Sequence, residues 1–213
     1  MRKEDFKKMT KEELLEGAKK CIDNAIIHRK SANILFKEKI YGISNSHIIL
    51  SGEESIKAFI LMLYYLEVEI PSQLTDIESL FKKHRIKHSI AREHFYFFYS
   101  YNLALNAART IEKNNVEITG FENMNEGEIL MSIWQDLLKS EPPPQIKEYM
   151  DWWKKADEFK NNGFYVCYIN GKWISPADLF NEKVLKSTSE VIDLIIRYTN
   201  NLVSKYYNSE NKS

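Results

Sequence analysis

Two carboxylates and an ammonium stand inside an otherwise apolar, helix-like run. Gly52-Glu53-Glu54-Ser55-Ile56-Lys57-Ala58 lies between Ile48 and Leu66. Packing such charges against hydrocarbon is costly unless they are paired or perform chemistry. Glu53 falls four residues after Ile49 and three before Ile56, on the helical stripe that continues through Phe59, Ile60 and Leu63. Lys57 follows one turn later, within pairing reach of Glu53. The segment reads either as an internal ion pair that registers the second helix against the first through Arg29, or as one wall of a polar site.

A second interruption of the same kind is His84-Arg85-Ile86-Lys87-His88-Ser89-Ile90-Ala91-Arg92. An apolar stripe runs through Ile77, Leu80 and Phe81, meets His84 and His88, and resumes at Ala91, Phe95 and Phe98. Two histidines at i and i+4 share a helix face, as a metal would require of two ligands. No glutamate between them makes an HExxH pattern and no cysteine is near, so no metal is expected. They read either as satisfied core histidines or as proton-transfer groups, with Arg85, Lys87 and Arg92 as cations for a phosphate. RNA cleavage by its own 2′-hydroxyl needs only a proton-transfer group and a cation on the developing phosphorane. In the first long segment Arg29 breaks the stripe Leu15, Ala18, Ile22, Ala25, Ala32, Phe36, with Asn24 and His28 beside it.

These residues sit on elements that the sequence marks clearly. Thr10-Lys11-Glu12-Glu13 is a capping box opening a helix to about Lys39, which Tyr41-Gly42 should end. Ser44 or Asn45 should cap a second helix to about Leu66. Thr75-Asp76-Ile77-Glu78 repeats the box and opens a third helix that could reach Glu112. A short fourth helix should end before Glu141-Pro142-Pro143-Pro144, and a fifth should span Ile146 to Asn162 with Gly163 at its C-terminal stop. Phe164 to Ile169 and Lys172 to Ile174 flank Asn170-Gly171, a hairpin signal. Ser175-Pro176 should begin the last helix, to about Tyr207. The expectation is a mainly α bundle of five or six helices with a small β-hairpin, one domain over 1–213. Its core is 10–140, formed by the first three helices, and 145–207 carries a helix, the hairpin at 164–174 and the C-terminal helix.

The 213 residues suffice for one sizeable core. Thirty basic and thirty acidic side chains cancel, which removes any general attraction to nucleic acid and leaves only local basic patches. Two cysteines, Cys21 and Cys167, without a CxxC partner exclude a disulfide framework or a cysteine-rich zinc site. No apolar run approaches the length that spans a bilayer, and Met1 to Asp5 is too charged for a signal peptide. A cytoplasmic protein with no membrane partner is expected. No Gly-rich phosphate loop, GxSxG elbow or GxGxxG is present, so nucleotide hydrolases, α/β-hydrolases and Rossmann enzymes lose their usual signatures. No cofactor is expected.

Leu15-Glu16-Gly17-Ala18 with Asn24-Ala25, Glu53 to Ala58, His84 with Lys87, and Gly163 to Val166 followed by Gly171 to Pro176 together resemble the AbiV family of abortive infection proteins, in the HEPN superfamily. The match covers roughly residues 10 to 180. The resemblance implies a helical, commonly dimeric protein of bacterial antiphage defence: a toxin acting on RNA or translation, through metal-independent RNA cleavage. RNA and a phage-encoded activating protein are the implied partners. On that reading His84, His88, Arg85, Glu53, Glu54 and Lys57 are the catalytic set, and Lys87, Arg92, Arg29 and Asn24 hold RNA or phosphate. One feature departs from the HEPN ribonuclease signature, an arginine followed after four to six residues by histidine. Arg85 is too near His88 and too far from His94. The alternative is a binding module without chemistry that sequesters a phage protein or a component of the translation machinery. The six aromatics among Phe95 to Tyr101 exceed what one buried helix face can hide, so a two-fold homodimer is expected with its seam near His84 to Arg92.

Overall fold

A computed structural model describes residues 9–67, single positions between 100 and 111, and 126–210. The described chain is mostly helical: α1 (Lys11–Lys37), α2 (Tyr41–Tyr65), α3 (Glu126–Lys139), α4 (Pro144–Phe164), a hairpin of β1 (Cys167–Ile169) and β2 (Lys172–Ile174), then α5 (Pro176–Leu179) and α6 (Glu182–Glu210). Two compact units divide the chain, one from 1–91 with 153–213 and the other from 92–152. The second holds α3 and the beginning of α4, where Lys147 reaches Glu141 at 2.8 Å across the prolines. Pro144 is itself the first residue of α4, two residues earlier than the expected start, because a helix's first amide needs no acceptor.

In the first unit α2 is the central element. α1, α6 and the C-terminal part of α4 surround it, and it is buried along most of its length. The Thr10 capping box forms as expected: Glu13 N donates to Thr10 Oγ1 and Thr10 N to Glu13 Oε2. α1 ends at Lys37, and the turn is closed by Lys39 in the left-handed region (φ 61°), whose amide reaches Phe36 while that of Ile40 reaches Leu35. This two-bond arrangement satisfies carbonyls at the helix end. The third helix expected over 75–112 lies largely outside the described residues. The C-terminal helix α6 packs on both α1 and α2, Tyr65 meeting the Tyr206 ring at 5.7 Å.

Several sequence-assigned boundaries are corrected. Tyr41-Gly42 does not end α1; it opens α2, whose N-cap is Ile40. Ser44 and Asn45 are buried inside α2 and cap nothing, and the Ser44 hydroxyl donates to the carbonyl of Ala32 on α1. Gly163 stands inside α4. Both Gly42 and Gly163 are sites of close approach: a Cβ on Gly163 would collide with the Gly42 carbonyl and Ser46, and one on Gly42 with Pro176. Packing, not positive φ, requires glycine there. The expected last helix is two helices. Phe180 leaves helical geometry and is buried, and Asn181 Oδ1 accepts from Val184 N to begin α6. The hairpin has the positive φ that its Asn-Gly pair signals, Asn170 at φ 50° and Gly171 at φ 80°, whereas Lys39 and Glu67 adopt it with no glycine to mark them.

Candidate functional site

α2 distributes its polar side chains over different faces, and so the residues singled out from sequence do not form one cluster. Glu53 is the deepest. Its carboxylate accepts from Lys160 Nζ at 2.7 Å, with 1% and 6% of the two side chains exposed, and Lys160 also lies 3.0 Å from Asp157. Lys160 reaches it because Trp153, Ala156, Lys160 and Gly163 form the buried stripe of α4 in the first unit. Ser46 of α2 donates to the Lys160 carbonyl at 2.6 Å, so backbone and side chain of one residue are both tied to α2.

Glu54 and Lys57, one turn apart, pair with each other at the edge of the interior, each about one-seventh exposed. The expectation that Lys57 would be the partner of Glu53 is therefore replaced by two separate pairs. Lys160, on a distant stretch of sequence, was in no sequence reading. A lone lysine on an otherwise apolar stripe was the available signal.

Arg29 is likewise redirected. Its guanidinium grips Asp193 of α6 with two bonds, Nε to Oδ1 at 2.5 Å and Nη2 to Oδ2 at 2.8 Å, and also reaches Asn33. It registers α1 against α6, not α1 against α2. A cavity of about 310 Å³ opens beside it, lined by Arg29, Asp193, Asn33, Phe36, Lys186, Ser189 and Glu190, two cations against two carboxylates. With Arg29 already matched by Asp193, this cavity presents no surplus positive charge. Asn24 is exposed. His84, Arg85, Lys87, His88 and Arg92 lie outside the described residues.

What the structure does bring together is a pair of imidazoles. Nδ1 of His28 on α1 and Nδ1 of His47 on α2 stand 3.1 Å apart, with ring centroids at 5.2 Å, and Phe164 at the end of α4 meets the His47 ring at 6.0 Å. Partial burial holds both rings below the usual histidine range. For His28 the nearby Glu54 opposes that shift, Lys57 adds to it and Glu53 opposes it, and for His47 the charge of His28 adds to it. His28 thus lies within the field of the very charges that mark α2 in the sequence. A hydrogen bond between two Nδ1 atoms forces opposite tautomers. The ring that donates keeps a bare Nε2, a base, and the other carries a proton on Nε2 that it can release as an acid once its own Nδ1 has been protonated across the contact. Sequence reasoning passed over His47 altogether. Its signal was its position two turns before Glu54, hence on the same face of α2.

Among the described residues no group of three or more histidine, cysteine, aspartate or glutamate side chains is placed to hold a metal, and no helix is long and apolar enough to cross a membrane. A family model described as AbiV, of HEPN type, matches residues 13–197. No curated protein and no solved structure matches the chain.

Proposed function

The chain belongs to the AbiV family of HEPN-type abortive-infection proteins, and from that membership and the imidazole pair we propose that it stops phage growth by cleaving RNA without a metal. The observation that carries this reading is the Nδ1 to Nδ1 contact of His28 and His47. It supplies a matched general base and general acid. The bare Nε2 takes the proton of a ribose 2′-hydroxyl as O2′ attacks the adjacent phosphorus, that ring passes its Nδ1 proton across the 3.1 Å contact to the other Nδ1, and the imidazolium so formed delivers its Nε2 proton to O5′ as the bond from phosphorus to O5′ breaks, leaving both rings neutral. The products are a 2′,3′-cyclic phosphate and a 5′-hydroxyl. Depressed proton affinity suits the work, since a ring that stays neutral near pH 7 can accept a proton.

In this reading the Glu54–Lys57 pair tunes His28, while the Glu53–Lys160 pair fixes α2 against α4 so that His47 is held in place. His84, His88, Arg85, Lys87 and Arg92 provide further proton-transfer groups and phosphate cations, with Asn24 as an outer contact for the strand, while Arg29 stays paired with Asp193. A homodimer in the cytoplasm, set off by a phage-encoded protein, is the corresponding biological form. The test is direct. Purified protein, alone and with an extract of infected cells, is incubated with tRNA, rRNA and mRNA. New 5′-hydroxyl ends are expected. Intact RNA in every mixture, from protein that still blocks phage in cells, refutes cleavage and leaves action by binding alone.

A further inference from the structure

The chain between Gly163 and Pro176 leaves the helices and returns to the place it left. At one end a Cβ on Gly163 would stand 2.4 Å from the Gly42 carbonyl oxygen and 2.2 Å from Ser46 Oγ, and at the other a Cβ on Gly42 would stand 2.3 Å from that of Pro176. Both roots of the hairpin therefore rest on the first turns of α2, which also carry His47. Phe164, the last residue of α4, meets the His47 ring at 6.0 Å, and the Tyr165 ring follows at 6.1 Å from Phe164. Rings thus lead outward from the imidazole pair to a tyrosine that is 66% exposed.

Three residues further on, a chain span of at most about 11 Å, stands Tyr168. Tyr168 and Trp173 are cross-strand partners on one face of the hairpin, 61% and 75% exposed, with ring centroids 5.0 Å apart and planes tilted by 56°. The tilt sets the phenol against the indole without covering it. The geometry is held from within the segment: the Asn170-Gly171 turn has the two positive φ values that match strand twist, and the Asp178 carboxylate accepts from both the amide and the hydroxyl of Ser175 at 2.7 Å.

Charge is scarce on this segment. From Gly163 to Phe180 the only charged side chains are Lys172 and Asp178, in a chain that is 28% charged. The chain as a whole has thirty basic and thirty acidic residues, so no net charge draws in a polyanion. RNA held beside His28 and His47 needs another source of affinity. Stacking supplies one, because every base has a π-face that an exposed aromatic side chain can cover. A base inside a duplex is already stacked and paired, and freeing it costs energy. Resting on the cleavage reading above, we infer that Tyr165 and the Tyr168–Trp173 pair stack unpaired bases of the strand held at the imidazoles, so that the substrate is single-stranded RNA. The ring contacts from His47 to Tyr165 favour RNA bases over a protein partner, since they tie the aromatic face to the proposed acid and base. The six aromatics between Phe95 and Tyr101, where a dimer seam is expected, lie outside the described residues.

Fluorescence anisotropy of the full chain with a labelled 2′-O-methyl oligonucleotide tests this without cleavage, since that strand lacks the nucleophile. The wild type is expected to bind the single strand roughly tenfold or more tightly than the same strand annealed to its complement. Trp173→Ala should weaken single-strand binding by roughly 5- to 150-fold, as for one lost stacked base, and Trp173→Phe should restore most of it. The slope of log affinity against log salt should not change in Trp173→Ala, because no phosphate contact is removed. Trp173 is exposed, so helical circular dichroism should not change either. Equal binding by wild type and Trp173→Ala overturns the inference, and so does a wild type that prefers duplex or binds neither form. Loss of a captured phage protein in Trp173→Ala with RNA binding unchanged also overturns it, and makes the face a protein-docking site. Failure of the cleavage reading looks different: the single strand is bound and Trp173 matters, but unmodified RNA stays intact.

Discussion

Around α2 charge is buried and paired, and in the hairpin large apolar side chains are exposed. Glu53 is buried with Lys160 upon it, whereas Trp173 is three-quarters exposed. The contrast separates two reasons for keeping an unfavourable residue. A buried ion pair is poor at stabilising but good at selecting one packing, because any arrangement that separates the partners strands a charge. An exposed aromatic face has no such internal cause and points outward.

The sharpest way to break this comparison is to remove one member of the buried pair. Glu53→Ala removes the 2.7 Å partner of the Lys160 ammonium but leaves Asp157 at 3.0 Å, and should cost about 1.5 to 3 kcal/mol in denaturant unfolding. The double change Glu53→Leu, Lys160→Met should recover most of that loss. A single substitution that unfolds like the wild type would show that the pair does not set the packing. Alanine placed at two glycines then sharpens the contrast. Gly163→Ala drives a Cβ into Gly42 and Ser46 and should cost about 1 to 3 kcal/mol as overpacking. Gly171→Ala meets no atom and should cost about 1 to 2 kcal/mol, from positive φ alone, with the helical core unaffected. Equal losses measured by thermal unfolding would erase the distinction between interior and hairpin.

The smallest effect is that of pH. Burial lowers the proton affinity of His28 and His47 in the folded chain. Unfolded histidines near the usual 6.5 therefore bind protons that the folded ones refuse. Their contribution to stability is complete above 6.5 and declines as pH falls through 6.5 toward the depressed folded values. Unfolding followed from about pH 7.5 to 5.5 should show this decline. A double His28→Asn, His47→Asn chain should show less of it. An identical pH dependence in both proteins would contradict the assignment.

Much of the fold was legible because its signals are local. The Thr10 capping box and the Asn170-Gly171 turn act over three or four residues and need no tertiary information. Gly42 and Gly163 misled because glycine has two uses, positive φ and close approach, and only the position of a neighbouring helix decides between them. The burial of Glu53 followed from helical period, but its partner did not, since Lys160 is more than a hundred residues away and period says nothing about which helices meet. The same ignorance hid His47: pairing it with His28 requires knowing that α1 and α2 lie side by side in that register. Phe180 and Asn181 broke the last helix through burial of one ring and one side-chain cap, a balance that a proline start alone does not reveal.

We propose that the opposed imidazoles of His28 and His47 transfer the protons of RNA cleavage. The most direct test is the single-turnover rate of 5′-hydroxyl formation on RNA by wild type, His28→Gln and His47→Gln, each shown to retain helical circular dichroism and a cooperative transition. Loss of either ring should slow the reaction by about 10² to 10⁴, the contribution of positioned acid–base groups. Rates equal to the wild type in both folded variants would contradict the account.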